Sequence, residues 1–310
     1  DVGYDGFRFD AAQWYSEQIL TNSSILMSNR YGDDIINHLS VLEAYDGNAT
    51  DNGQSSYEGY TFGQLIYDTG NYYAMWYCLF EGFGGGTLLN VMQSYGGANS
   101  SIPPNDMDTT LLPGGPYTGG QFRGGFNNRS LNWSFVNNHD QEKSMMSNFR
   151  VDNGGTSGSS DELKSWANQW TWDRRKSIKT HAPYNVVPAY AYILLNDFTV
   201  PTVYYGDLYD SQEDYMSVKS PYYAGIMMLL RLRKRYVKGQ QFNEFYISNG
   251  TDGGASVAAN VRLGGGTDNA NIDAVAQIRF GNDRDTGIVH VMSIGENASY
   301  TISVSMTARK

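Results

Sequence analysis

The sequence predicts an α/β protein, with a partial (β/α)8 barrel over residues 1–240 and part of an antiparallel β-sandwich domain over residues 241–310. Three observations lead to this prediction. Strand patterns alternate with helical patterns in the first part, as is typical of parallel sheets. Carboxylates follow the ends of three of these strands, at the edge where a (β/α)8 barrel carries its chemistry. After about residue 240, short alternating segments lie between Gly, Asn and Asp clusters, which indicates antiparallel strands.

The elements of the first part follow from the spacing of apolar residues. A short apolar run that ends in a polar residue predicts a buried strand, and apolar residues every three or four positions predict a helix. Clusters of Gly, Asn, Asp and Ser mark the loops between these elements. The predicted strands are 1–10, 38–44, 133–138 and 200–205, and the predicted helices are 11–20, 59–80, 162–179, 185–195 and 220–236.

Only about four barrel strands are counted in this way, so we expect the barrel to be incomplete within these residues. In the second part, residues 257–262, 274–280 and 288–293 are the predicted strands.

Composition and charge exclude several classes of function. The chain has 310 residues and a formal net charge of −10, whereas binding of nucleic acid requires a basic surface. It has no apolar run of about 18 residues, which a membrane-spanning helix requires. It also lacks the clusters of Cys and His that form zinc sites, and its single cysteine excludes an internal disulfide.

Three carboxylates stand at predicted strand ends: Asp10 in Gly-Phe-Arg-Phe-Asp, Glu43 in Val-Leu-Glu-Ala-Tyr and Asp140 in Asn-Asn-His-Asp. One such residue is usually a turn residue or helix cap, but three in one α/β chain favour a catalytic group. Cleavage of a glycosidic bond needs two carboxyl groups, which lie about 5–5.5 Å apart in a retaining enzyme. A third carboxylate beside a cationic transition state adds electrostatic stabilisation.

The two carboxyl groups must differ in protonation. The acid must stay protonated near neutral pH, so its pKa must be raised by burial or by a negative neighbour. The nucleophile must stay ionised. Arg8 lies two residues before Asp10 on the same face of the strand, and its guanidinium can keep that carboxylate charged.

The strings around these residues resemble the conserved regions of the α-amylase clan. Residues 6–14, 42–45 and 135–140 are similar to its second, third and fourth regions. Residues 200–209 (VPTVYYGDLY) and 215–223 (YMSVKSPYY) resemble, more specifically, glycoside hydrolase family 70, the glucansucrases and related α-glucanotransferases. This resemblance is strong over the first part of the chain and weak beyond it. It implies that the barrel strands present are about the fourth to the eighth.

The resemblance implies a role for each residue. Asp10 forms the covalent β-glucosyl intermediate, Glu43 protonates the leaving oxygen and then deprotonates the acceptor, and Asp140 stabilises the transition state. His139 and Arg8 hold the sugar and the nucleophile at the donor subsite. The residues expected at acceptor subsites, for which packing or surface roles fit equally well, are Gln13, Trp14, Tyr45, Asp46 and Gln141.

The donor is predicted from departures from the family pattern. Glucansucrases usually carry Trp two residues after the acid/base, where this chain has Tyr45, and Arg-Ala-His-Asp-Ser where residues 137–141 read Asn-Asn-His-Asp-Gln. Both departures resemble the starch-converting branch. We therefore expect amylose or malto-oligosaccharides as donor and new α-1,6 links. The alternatives are a glucansucrase that uses sucrose, an α-amylase-like hydrolase and a non-catalytic sugar-binding relative.

The remaining expectations also come from the resemblance. No cofactor is required for the chemistry, but a structural calcium ion is possible, although Trp14 replaces a calcium-ligating Asn. The expected partners are an α-glucan or sucrose donor and a carbohydrate acceptor, with no nucleic acid and no membrane. The full enzyme is expected to be extracellular and bacterial. Because part of the barrel is missing, we expect these residues alone to be inactive.

Overall fold

A computed structural model of the chain describes residues 6–32, 39–43, 65–67, 72, 75–80, 132–155, 159–196, 199–210, 213–239, 241–248, 255–257, 272–279, 281–282 and 286–293. Its strands form two sheets. The parallel sheet contains β1 (Gly6–Phe9), β2 (Leu39–Leu42), β3 (Leu65–Tyr67), β4 (Asn132–Phe135) and β5 (Thr199–Thr202), and the antiparallel sheet contains β6 (Gln241–Ser248), β7 (Ala255–Val257), β8 (Ile272–Arg279) and β9 (Ile288–Ser293).

Helices lie between the strands of the parallel sheet and after it. They are α1 (Glu17–Tyr31), α2 (His139–Asp152), α3 (Ser160–Asp173), α4 (Val186–Leu194), α5 (Tyr205–Leu208) and α6 (Tyr223–Tyr236), with a 3-10 turn at Ala12–Trp14 and a π-helical turn at Trp76–Phe80. None of the helices in the described ranges is long and apolar enough to cross a membrane.

The five parallel strands pair in the order in which the chain visits them, and every pair is parallel. The predicted mixture of helices and parallel strands is therefore confirmed. The strand β3 corrects the prediction of a helix over 59–80. Its three residues pair with β2 on one side and β4 on the other, and Tyr67 is buried there. Tertiary pairing thus overrides a helical pattern in a short apolar segment.

Local hydrogen bonds correct two helix predictions. The predicted helix over 11–20 is broken, because Ala11 has a left-handed backbone and α1 begins only after Ser16. The helix predicted over 162–179 ends at Asp173. That carboxylate accepts the backbone N–H groups of Thr180, His181 and Ala182 at 2.8–3.1 Å, which folds the chain back. A capping box between Ser159 and Glu162 starts this helix.

The core lies beneath α4, seven of whose nine residues are buried. Tyr72 stacks on Phe135 of β4 at 5.1 Å, and both side chains are almost fully buried. Met292 of the antiparallel sheet belongs to the same core, and Ile288 packs against it. The antiparallel sheet therefore shares apolar contacts with the helices of the first part. The chain changes from helix to antiparallel strand between 236 and 241, and the division into domains at 240 stays a prediction.

One glycine sets the position of the first strand. A Cβ atom at Gly6 would overlap the carbonyl oxygen of Leu39 in β2, so only glycine allows the two backbones to approach this closely. The resulting register pairs Phe9 with Leu42, the last residue of each strand. The residues that follow both strands therefore emerge side by side.

Candidate active site

Asp10 and Glu43 emerge together because they follow the paired ends of β1 and β2. Backbone hydrogen bonds continue past the strands, from Glu43 N–H to the Phe9 carbonyl at 2.9 Å and from Ala12 N–H to the Glu43 carbonyl at 2.8 Å. The left-handed turn at Ala11 aims its N–H at Glu43 Oε2, which accepts it at 3.1 Å. The backbone of the first loop thus orients the side chain of the second.

Arg8 joins the two carboxyl groups. Its Nη1 donates to Asp10 Oδ1 at 2.5 Å, and its Nη2 lies 2.5 Å from Glu43 Oε1. Its Nε donates to the Tyr67 hydroxyl at 3.1 Å, and the guanidinium lies 5.7 Å from the centre of that ring. The two carboxylates differ in exposure, since the Asp10 side chain is 72% exposed and the Glu43 side chain only 6%.

The surroundings move the two pKa values in opposite directions. Burial raises the pKa of Glu43 above its ordinary value, and this outweighs the Ala11 N–H and the charge of Arg8, which act the other way. A hydrogen bond from Glu43, followed by the contact with Arg8, lowers the pKa of Asp10. One carboxyl therefore keeps its proton where the other is ionised, as a general acid and a nucleophile require.

Both carboxyl groups contact the guanidinium of Arg8, so they lie close to each other at neighbouring strand ends, as the two carboxyl groups of a retaining glycosidase do.

The third predicted carboxylate lies on a separate element. Asp140 and His139 form the first turn of α2, and Asn138 caps this helix by accepting the Gln141 N–H at 2.9 Å. This helix is absent from the helices predicted from the sequence. His139 Nε2 lies 3.4 Å from Asp140 Oδ2. His139 and Arg8 line the same cleft, so the first turn of α2 lies on the same side of the sheet as Arg8.

A cleft with a volume of about 300 Å³ opens beside Arg8, above the carboxyl ends of β3, β4 and β5. Its described walls are formed by Arg8, Tyr67, Trp133, Phe135, Asn137, Asn138, His139, Thr202, Val203, Tyr204 and Tyr205. Aromatic rings and amide groups dominate this set. Such a surface suits a sugar, because the rings pack on its apolar faces and the amides bond its hydroxyl groups.

Comparison with known proteins assigns the chain to a family. The model of glycosyl hydrolase family 70 matches residues 124–297, more than half of the chain. This chain belongs to glycosyl hydrolase family 70. The match includes the residues around Asp140 and both strings that suggested the family from the sequence.

Curated relatives of this family 70 chain are glucosyltransferases of streptococci. Glucosyltransferase-S of Streptococcus downei is 28% identical over 298 residues, which cover 87% of this chain and 19% of the relative. Glucosyltransferase-S of Streptococcus mutans is 28% identical over 256 residues, covering 78% and 16%. The chain thus spans about a fifth of the length of the curated relatives it matches.

The fold is similar to that of a solved structure, truncated alternansucrase from Leuconostoc mesenteroides. The TM-score is 0.64 at 22% identity, over 90% of this chain and 23% of the other. A second structure, alternansucrase in complex with isomaltotriose, has a TM-score of 0.60 at 24% identity, over 90% of this chain and 23% of the other. At these identities the likeness shows the fold alone.

The residues predicted for acceptor subsites lie in different places. Gln13 and Trp14 lie in the 3-10 turn after Asp10, and the Trp14 side chain is 84% exposed. Gln141 is half-buried in the first turn of α2. Tyr45 and Asp46 lie outside the described residues. The roles of these five residues in this family 70 chain stay predictions.

The position of Trp14 bears on the expected calcium ion. Its indole has no oxygen that could bind calcium, and the described part of the chain holds no cluster of three or more acidic, His or Cys side chains. Because calcium can also bind backbone carbonyl oxygens, the structural calcium ion stays a prediction.

Several wall residues were missed in the sequence analysis. Tyr67 and Trp133 lie in the cleft with parallel rings 6.4 Å apart. Tyr67 was hidden by the prediction of a helix, although Leu65–Tyr67 is a short apolar run followed by Asp-Thr-Gly, a strand-end pattern. Thr202 and Val203 belonged to a predicted strand, but no feature of the sequence marked them as wall residues.

Proposed function

We propose that this chain is part of a retaining glucosyltransferase that moves a glucosyl group from sucrose to a carbohydrate acceptor by double displacement. One observation carries the proposal. In this family 70 chain, Arg8 contacts both Glu43 and Asp10 beside an aromatic cleft. Glu43 is buried and its pKa is raised, whereas Asp10 is exposed and its pKa is lowered.

In the first step, the ionised Asp10 attacks the anomeric carbon of the donor. The bond from this carbon to the leaving oxygen breaks, and the proton of Glu43 moves to that oxygen. In the second step, the Glu43 carboxylate takes the proton of an acceptor hydroxyl, whose oxygen attacks the same carbon and releases Asp10. Asp140 and His139 are proposed to stabilise the cationic transition state and to hold the sugar.

The proposed donor, sucrose, is chosen from the similarity to known relatives. The named glucosyltransferases favour the glucansucrase alternative over the starch-type donor that Tyr45 and Gln141 suggested. The starch-converting transferase stays the second candidate on one observation, the Asn-Asn-His-Asp-Gln string at residues 137–141. There Asn137 and Asn138 are buried at the wall of the cleft.

We further propose that the five parallel strands are the fourth to eighth strands of a (β/α)8 barrel. Their sequential order, their parallel pairing and the position of the carboxylates after the strand ends support this. An extracellular location and a structural calcium ion stay predictions from the family resemblance.

The experiment uses the natural full-length protein that carries these residues. It is incubated separately with sucrose and with amylose, free fructose is measured, and new anomeric proton signals are recorded by NMR. We expect fructose and glucan from sucrose, and neither from the Asp10→Asn variant. New α-1,6 signals from amylose with sucrose untouched would replace the sucrose proposal by the second candidate. Reducing sugar without new links would show a hydrolase, and no turnover of either donor would refute transfer.

A further inference from the structure

A buried network of charges lies behind the wall of the cleft. Arg174, Glu142 and Asp207 are each at most 5% exposed. They come from three elements: Arg174 follows the last residue of α3, Glu142 lies in the first turn of α2, and Asp207 lies in α5. Charged groups are rarely buried this deeply unless they are paired, because they lose their hydration.

The guanidinium of Arg174 contacts acceptors from two helices, α2 and α5, at once. Its Nη2 donates to the carbonyl of Gly206 at 2.7 Å and lies 3.5 Å from Asp207 Oδ1. Its Nη1 lies 3.6 Å from Glu142 Oε1, and the group covers the ring of Tyr222 at 5.1 Å. A planar fork can reach acceptors on both sides, whereas the single ammonium of a lysine cannot.

Both carboxylates also accept hydrogen bonds from residues of the cleft wall. Glu142 Oε2 accepts the hydroxyl of Tyr204 at 2.7 Å, and Asp207 Oδ1 accepts Asn137 Nδ2 at 3.3 Å. Asp207 Oδ2 accepts the Tyr190 hydroxyl at 2.7 Å, and that hydroxyl oxygen in turn accepts the Tyr204 N–H at 3.2 Å. The network therefore connects the loop after β4 with the loop after β5.

We propose that Arg174 is a positioning residue that holds these two loops in the arrangement needed for glucosyl transfer; this inference rests on the proposed function. Arg174 is not among the described residues that line the cleft. It acts through Glu142, which is on the same helical turn as His139 and Asp140, and through Asn137. Displacement of catalytic groups by about 1 Å can lower a rate about 100-fold.

The test compares Arg174→Lys with Arg175→Lys in the full-length protein. Arg175 is a matched control, because it is the neighbouring arginine, it pairs with the buried Asp210, and it donates to the Thr171 carbonyl at 2.8 Å. None of these three residues is among the described residues that line the cleft. We expect Arg174→Lys to lower kcat about 10- to 100-fold with little change in donor KM. Arg175→Lys should leave kcat close to that of the wild type. A Glu142→Gln variant, which keeps an acceptor for Tyr204, should lower kcat to a smaller extent.

Hydrogen exchange measured by mass spectrometry gives a readout that needs no substrate. Arg174→Lys should speed exchange in residues 137–142 and 203–207 together, whereas Arg175→Lys should not. If Arg174→Lys does not fold, the inference is tested with Glu142→Gln, by the same measurements of kcat and of hydrogen exchange.

The inference is overturned if the decisive variant keeps the wild-type kcat, or if exchange rises in neither loop. It is also overturned if the variant only lowers the melting temperature while activity per folded molecule is unchanged. Activity is measured with whichever donor the wild type uses. If the wild type uses neither donor, the proposed function fails and the exchange measurement alone decides on Arg174.

Discussion

The role of Glu43 as general acid can be tested by the Glu43→Gln variant. Glutamine at this position keeps the shape of the side chain and an oxygen for the Ala11 N–H, but it has no proton to give. General acid catalysis contributes about 10²–10⁴-fold, equal to about 2.7–5.5 kcal/mol of activation free energy. The Glu43 side chain is 6% exposed, so water cannot readily replace its proton. We therefore expect a loss of kcat on sucrose near the upper end of this range.

The assay compares two donors of different leaving-group quality. Fructose must be protonated as it leaves, whereas the fluoride of α-glucosyl fluoride leaves without a proton. In pre-steady-state measurements, Glu43→Gln should form the glucosyl-enzyme from the fluoride at nearly the wild-type rate, although it is slow with sucrose. Asp10→Asn should be inactive with both donors, because it lacks the nucleophile. An equal loss on both donors for Glu43→Gln would refute its role as the acid.

Two further predictions concern the same pair of strands. Replacing Arg8 by Met should raise the pKa of Asp10, because Arg8 lowers it, and also that of Glu43, because the Arg8 charge opposes its raised value. Both limbs of the kcat/KM profile should therefore move to higher pH, and an acid limb that stays in place would contradict this interpretation. Replacing Gly6 by Ala should abolish activity and lower the melting temperature, since the new methyl group overlaps the Leu39 carbonyl; unchanged activity would show that β1 does not set the site.

Much of the fold could be predicted because local pattern and tertiary structure agree. The runs before Asp10, Glu43 and Asp140 are strands, and α4 and α6 lie close to their predicted positions. The prediction failed where a short segment depends on its neighbours. Leu65–Tyr67 is only three residues long, and its strand exists through pairing on both sides.

For the site, the charged residues at strand ends could be predicted from the sequence. The buried residues that hold them in place through tertiary contacts could not. The effect of Arg8 on Asp10 could be anticipated because the two are neighbours on one strand. Its second contact, with Glu43, depends on the register of β1 against β2. The network around Arg174 joins residues as far as 70 positions apart in sequence, Asn137 and Asp207, and the spacing of residue types carries no sign of it.

The sharing of one core by Met292, Ile288 and α4 has a consequence for recombination between relatives. An exchange of the segment after residue 240 would bring foreign side chains against an unchanged helix. Cores are close-packed, so a difference of a single methylene group at the contact between α4 and β9 disturbs the packing of both elements. Functional hybrids should therefore be those in which α4 and β9 come from the same parent, and crossover points should be placed before α4 rather than at the start of β6.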